Sequence, residues 1–170
     1  FPRLAELPFD SDRKRMTPIH RLPETTIGAV QNTPLNRQNA PGYPWIAITK
    51  GSVDGMLDIS SQVWVDGQLH PLDDHWRERI HAANNRLAQN GMRVLGMAFQ
   101  LRRNEAIDLP EEPLEKDLVF IGMTGMIDPA RPEVHEAVQK AHLAGIRSMM
   151  ITGDHPLTAL SIARDLGITT

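Results

Sequence analysis

The triplet Thr152-Gly153-Asp154 stands where an apolar run, Ile146 to Ile151, meets a helix with Pro156 in its first turn and apolar Leu160, Ile162, Ala163 and Leu166 behind it. A strand that empties into a helix amino terminus gathers unpaired backbone N–H groups and the positive end of the helix dipole, so this turn is suited to phosphate. The alternative is that Asp154 only caps the helix. Four further residues are equipped for a nucleotide. Phe9 offers a flat apolar face on which a purine can stack. Lys14 and Lys50 are point charges on flexible stems, suited to a triphosphate or the polar edge of a base, and the planar fork of Arg93 can bridge phosphate oxygens. Taken singly, such a Phe is usually core and such cations usually solvated surface. A site of this kind needs no Walker loop, and neither GxxxxGK(S/T) nor GxGxxG occurs in the chain.

The elements that must position these residues fall into two regimes. From Phe9 to about Gln100 the pattern predicts strands at Met16–Arg21, Ile27–Gln31, Trp45–Thr49 and Met92–Leu101, and a hairpin of Val63–Val65 with Gln68–His70 turning through Asp66-Gly67. One long helix is predicted from about Asp73 to Asn90, with Trp76, Ile80, Ala83 and Leu87 at helical spacing and Gly91 as its left-handed stop. Residues 32–44, rich in Asn, Gln and Pro, read as a loop. The segment Arg102 to Lys116, rich in Glu, Pro and Arg, reads as a surface connection or hinge. Beyond it come an apolar run at Leu118–Met123, a helix at Pro132–Ala144 ended by Gly145, the run Ile146–Ile151, and a helix at Pro156–Leu166 ended by Gly167. Strands alternating with helices in this way predict a parallel sheet, with ligands at the carboxyl ends of its strands, where Asp128 and Thr152-Gly153-Asp154 fall.

Composition bounds the function classes. The chain has 170 residues, 41% hydrophobic and 23% charged, which is an ordinary globular balance able to bury a core. Net charge is -3 and, apart from Arg13-Lys14-Arg15, the basic residues are scattered, so no nucleic-acid footprint is present. Without cysteine there is neither a disulfide nor a thiolate zinc site, and the seven histidines form no HExxH pattern, so no metal is assigned to this chain. No apolar run approaches bilayer length, and the start Phe1-Pro2-Arg3-Leu4 lacks the ordered regions of a signal peptide.

The residues together resemble a known family. Phe120-Ile121-Gly122, Gly125 to Arg131, Ala144-Gly145-Ile146-Arg147, Met150 to Ala159 and Asp165-Leu166-Gly167-Ile168 resemble the middle of a type II P-type cation-transporting ATPase. In the same order, Phe9 to Thr17 resembles that family's strand with an adenine-stacking Phe, Lys50-Gly51-Ser52-Val53-Asp54 its Lys-Gly-Ala-Pro-Glu motif, and Gly91-Met92-Arg93-Val94-Leu95 its arginine strand. The second motif departs at Ser52, Val53 and Asp54, and Ser11 stands where relatives carry an arginine. The resemblance covers nearly the whole chain and implies an α/β protein. An α+β nucleotide-binding domain with an antiparallel sheet and flanking helices spans residues 1–103, a connection or hinge 104–117, and part of a haloacid-dehalogenase-like parallel sheet, the start of a phosphorylation domain, 118–170.

The same resemblance implies that Phe9, Lys14, Met16, Lys50, Gly51, Arg93 and Leu95 form the ATP-binding site. It further implies that Thr152 takes the transferring phosphoryl oxygen, Gly153 lets the backbone approach, and Asp154 faces the nucleotide. Asp128 is then a hinge or interface residue, or else a helix cap before Pro132. The family's Asp-Lys-Thr-Gly-Thr signature, with its phosphorylated aspartate, and its Gly-Asp-Gly-x-Asn-Asp magnesium motif occur nowhere in the sequence. The expectation is therefore a cytoplasmic fragment of an integral membrane transporter, incapable of ATP turnover alone. Its partners are the actuator, the rest of the phosphorylation domain and the membrane domain of the same polypeptide, with Mg²⁺ accompanying ATP. The wording leans to the calcium-transporter subgroup without naming the ion. Two other readings remain at this stage: a soluble haloacid-dehalogenase-type phosphatase with a large cap, and a noncatalytic nucleotide-sensing module.

Overall fold

Residues 2–22, 42–103, 114–127 and 129–169 are described in the computed structural model of the chain. The predicted strand at Ile27–Gln31, most of the Asn/Gln/Pro loop, most of the predicted connection and Asp128 lie outside them.

Short runs of β-branched, aromatic and alternating residues make most of the strands. In chain order the elements are β1 (Arg3–Asp10), β2 (Arg15–Arg21), β3 (Trp45–Gly51), α1 (Val53–Asp58), β4 (Ser60–Val65), β5 (Gln68–Pro71), α2 (Asp74–Gln89), β6 (Arg93–Arg102), β7 (Leu118–Met126), α3 (Pro132–Leu143) and α4 (Pro156–Asp165). The strands form one seven-stranded sheet in the order β1-β2-β3-β6-β7-β4-β5. β1–β2, β2–β3, β3–β6 and β4–β5 are antiparallel, and β4–β7 is parallel. The expected α/β class, with a mainly antiparallel sheet and flanking helices, is what the chain adopts.

The chain divides into two units, Phe1–Glu78 with Leu95–Met123, and Arg79–Val94 with Thr124–Thr170. In the first, β3 is buried on both faces, as its nearly unbroken apolar run requires. Ile46 packs with Leu22, Phe99 and Val119 on one face, and Ala47 with Ile19 and Leu114 on the other. Helix α1, which the sequence reading missed, is a single short stretch started by Ser52, whose hydroxyl accepts from the Gly55 N–H at 3.3 Å. It lies against β6: a Cβ on Gly96 would stand 3.0 Å from Met56 Cγ and 3.2 Å from Val53 Cα.

The β4–β5 turn is built from Asp66 (φ 48°) and Gly67 (φ 84°), two left-handed residues in succession, as a tight hairpin of the I′ kind requires. No atom lies within 4 Å of a Cβ built on Gly67, so Gly67→Ala tests backbone strain alone. It is expected to cost about 1 kcal/mol, read as a lower urea midpoint at unchanged slope.

Helix α2 begins in the first unit after Asp73, whose carboxylate accepts from the Trp76 N–H at 3.0 Å, and its second half belongs to the second unit, where Gly91 (φ 72°) stops it as predicted. Ile80, Asn84 and Ala88 are its buried stripe. Helix α4 docks by a polar contact, the buried Thr158 hydroxyl donating to the Met92 carbonyl at 2.9 Å, with Ala163 and Leu166 beside it in the core.

One expectation fails here. Residues 146–151 form no strand, and Ile146, Met149 and Ile151 are exposed, Ile151 to 92%. An apolar run becomes a strand only where it is hydrogen-bonded to a neighbour, and this run pairs with none of the seven strands. The parallel partner of β7 is β4, not the run after α3, and α3 itself buries none of its residues.

Candidate nucleotide site

The register of the sheet decides which of the predicted residues meet. Lys50 on β3 is directly opposite Met16 on β2 and opposite Met97 on β6. Because side chains alternate along a strand, these three form a row on one face, and Leu95, two residues before Met97, continues it.

Phe9 reaches the same face through an irregularity. Leu7 pairs with Thr17 and Asp10 with Arg15, so three steps on β1 match two on β2. That extra residue is a β-bulge, and it sets Pro8 and Phe9 together opposite Met16. Simple alternation would have put Phe9 on the face of Leu7, which packs into the core with Ile19 and Ala47. With the bulge, Phe9 is 64% exposed on the strand next to Met16. An exposed aromatic side chain one strand from the Met16 thioether and two from the Lys50 ammonium group is chemically fit for the base of a purine nucleotide.

The tip of the β1–β2 hairpin is fixed by backbone hydrogen bonds. Asp10 accepts from the Asp12 and Arg13 N–H groups, both at 2.9 Å, and its carbonyl from the Lys14 N–H at 2.7 Å. The Arg13 N–H foremost, with the Asp12 N–H and the Arg13 charge, holds the Asp10 carboxyl below its ordinary value against the opposing effect of desolvation. Lys14 adopts a left-handed conformation (φ 52°) and is exposed, and Lys50 is exposed as well. Gly51 is buried and cannot bear a side chain: a Cβ there would lie 2.5 Å from the Lys14 carbonyl oxygen and 2.7 Å from Arg15 Cβ. Glycine is thus required beside Lys50 by the close approach of the hairpin.

The remaining predicted residues belong to the second unit. Arg93 opens β6 with an exposed side chain, and its Nε lies 3.9 Å from Asp154 Oδ1. Thr152 and Asp154 close on each other: the Thr152 hydroxyl donates to Asp154 Oδ2 and accepts from the Asp154 N–H, both at 3.1 Å. Gly153 has open space around it. The cap of α4 is not Asp154 but His155, whose ring accepts from the Leu157 N–H at 3.3 Å ahead of Pro156. Asp154 is thereby left for Thr152 and Arg93. The cap position of α3 is Arg131.

A family model described as "P-type ATPase, cytoplasmic domain N" matches residues 1–133. The chain belongs to the P-type ATPase family. Calcium-transporting ATPase 1 of Bacillus cereus is 36% identical over 166 residues, 98% of this chain and 16% of that protein. A calcium-transporting ATPase of Bacillus subtilis is 37% identical over 164 residues, 96% and 16% of the two chains. The alpha-A subunit of a sodium/potassium-transporting ATPase from Artemia franciscana is 34% identical over 174 residues, again 98% and 16%. The chain thus spans about a sixth of the length of the curated relatives it matches. No helix among its described residues is long and apolar enough to cross a membrane.

Around the site of this P-type ATPase chain, two residues escaped sequence reasoning. Met97 belongs to the Met16–Lys50 row and could have been found by stepping two residues on from Leu95. Glu115 could not. It falls in the segment read as a surface connection, yet Leu114 and Glu115 are only 2% and 5% exposed. Its carboxylate accepts from Arg13 Nη1 at 2.7 Å, Arg15 Nε at 2.5 Å and the Thr17 hydroxyl at 2.7 Å. Burial raises the Glu115 pKa, and the hydrogen bonds from Thr17, Arg15 and Arg13 more than reverse it, leaving it below the ordinary glutamate value.

Proposed function

We propose that this chain is the ATP-binding cytoplasmic part of a cation-transporting P-type ATPase, and that in the whole protein it presents ATP to a phosphorylatable aspartate whose acyl phosphate drives cation movement across a membrane. The row Met16–Lys50–Met97 with exposed Phe9 on the strand next to Met16 is the observation that carries this reading. Phe9 stacks on the base, Met16, Met97 and Leu95 supply its apolar surround, and Lys50 and Lys14 meet its polar edge or the phosphates. Gly51 lets the hairpin close beside Lys50. On the second unit, considered by itself, Arg93, Thr152, Gly153 and Asp154 are of the types that meet a phosphoryl group, with Arg93 offering two-point contact and Gly153 leaving room for an oxygen to approach the backbone.

Bound with the nucleotide, Mg²⁺ would neutralise phosphate charge. In this reading the ion accompanies ATP in the intact protein, and its protein ligands belong to other parts of the parent. The proposal extends to organisation: residues 1–103 as nucleotide-binding domain, 104–117 as the connection with Asp128 as a later hinge residue, and 118–170 as the opening of a phosphorylation domain. Calcium is the favoured cargo of the parent, because most of the relatives above are named for it.

A chemical-shift titration with ATP tests the reading. Phe9→Ala and Lys50→Ala are each expected to weaken binding by about 10-fold or more, the size of a lost base–aromatic stack or charge contact, with shifts centred on Phe9, Met16 and Lys50. Unchanged affinity in both variants removes the site. Sustained ATP turnover by the chain alone contradicts the assignment of the nucleophile to another part of the parent.

A further inference from the structure

Glu115 is the one charged residue in the buried set among the described residues, and the function proposed above makes no use of it. Its side chain is 2% exposed and receives three hydrogen bonds, two of them from guanidinium groups. Each partner passes the constraint onward. Arg13 uses its other terminal nitrogen to donate to the Pro8 carbonyl at 2.9 Å, and Arg15 Nη1 donates to the Arg13 carbonyl at 3.3 Å. The buried Thr17 hydroxyl meets that of Thr49 on β3 at 3.0 Å. One carboxylate therefore holds β1, the hairpin tip, β2 and, through Thr17, β3.

The points it holds are those that aim the candidate site. Pro8 is the bulge residue paired with Phe9 opposite Met16, and Arg13 precedes Lys14, whose left-handed backbone persists only where its surroundings impose it. Arg15 and Thr17 flank Met16 and point to the opposite face. The geometry points to Glu115 as a positioning residue: from the far face of the sheet it locks the bulge and the hairpin tip, so that Phe9 and Lys14 meet a purine nucleotide already in their binding orientation. This inference rests on the nucleotide reading above. It also gives the lock an address about a hundred positions away, since Glu115 lies 102, 100 and 98 residues from its three partners. The chain just before β7 is thus tied to the hairpin that carries Phe9. The depressed pKa of Glu115 accords with a carboxylate that stays charged in this role.

The test measures ATP affinity of the full chain well below its melting temperature, for the natural protein, Glu115→Gln and Arg13→Lys. Glu115→Gln keeps the shape but replaces one acceptor by a donor facing a guanidinium. Arg13→Lys keeps the charge but cannot serve Glu115 and Pro8 together in planar geometry. Loss of pre-organisation is expected to weaken ATP binding about 10-fold in Glu115→Gln and less in Arg13→Lys, with amide shifts of residues 9–16 changed before any nucleotide is added. A role in stability alone lowers the melting temperature and leaves the affinity of the folded variants unchanged, and that result overturns the inference. If Glu115→Gln does not fold, unchanged affinity in Arg13→Lys overturns it equally. Failure of the natural chain to bind ATP instead removes the nucleotide reading, and the positioning role with it.

Discussion

Gly51→Ala is expected to destabilise the chain by about 3 kcal/mol, toward the upper end for adding a single methyl group, and to weaken ATP binding at the same time. The size follows from what the methyl would meet. Its nearest neighbours are the Lys14 carbonyl oxygen at 2.5 Å, Arg15 Cβ at 2.7 Å and Arg15 Cα at 3.1 Å, which are backbone or close to it and cannot swing aside as a flexible side chain would. On the other side Gly51 pairs with Gly96, itself covered by α1. Relief must therefore come from moving β2 away from β3, which pulls Met16 out of register with Lys50 and stretches the Thr17–Thr49 contact. Urea unfolding followed by circular dichroism gives the stability change as a lower midpoint at unchanged slope, and the ATP titration gives the binding loss. A variant of natural stability would mean that the hairpin does not press on Gly51 as closely as these distances require.

Gly51 also shows how far the sequence could be read. As a Lys-Gly pair it was recognisable, and the resemblance supplied a role for the lysine. The reason for the glycine is a contact between strands, and only the register reveals it. Phe9 is similar. Its type marked it as a stacking candidate, but alternation from Leu7 would have turned it to the core, and the bulge that reverses it has no signature in Pro8-Phe9-Asp10 alone. Elements whose cause is local were legible: the Asp66-Gly67 turn, the long helix ending at Gly91, and the helices closed by Gly145 and Gly167. Elements whose cause is remote were not. The run Ile146–Ile151 has the composition of a buried strand and is exposed and paired with no strand, while Glu115, in an acidic and proline-rich stretch, is buried because three partners distant in sequence reach it. Asp154 is an intermediate case. Its cap role passed to His155 by one position, and that shift freed it for Thr152 and Arg93.

Glu115→Ala is expected to cost about 3 kcal/mol at neutral pH, because it takes the counter-charge from two guanidinium groups that are only 16% and 21% exposed and leaves the Thr17 hydroxyl without its acceptor. The pH dependence separates charge from packing. A carboxyl whose folded pKa is depressed contributes stability that is fully present above the unfolded value, near about 4.3 for glutamate, and that is lost as pH falls through the lower folded value. Glu115 is such a group. The stability gap between the natural chain and Glu115→Ala should therefore hold constant from neutral pH down to about 5 and then narrow as the solution becomes more acid. The Asp10 pKa is depressed as well, chiefly by the Arg13 N–H, so its own stabilising contribution is likewise lost in acid. Asp10 is present in both proteins, however, so the difference between them isolates Glu115 as long as the Arg13 turn stays formed in the variant. Chemical denaturation at a series of pH values supplies the measurement. A gap as wide in acid as at neutrality would show that the loss came from the cavity left by the side chain, and that its charge does not hold the hairpin.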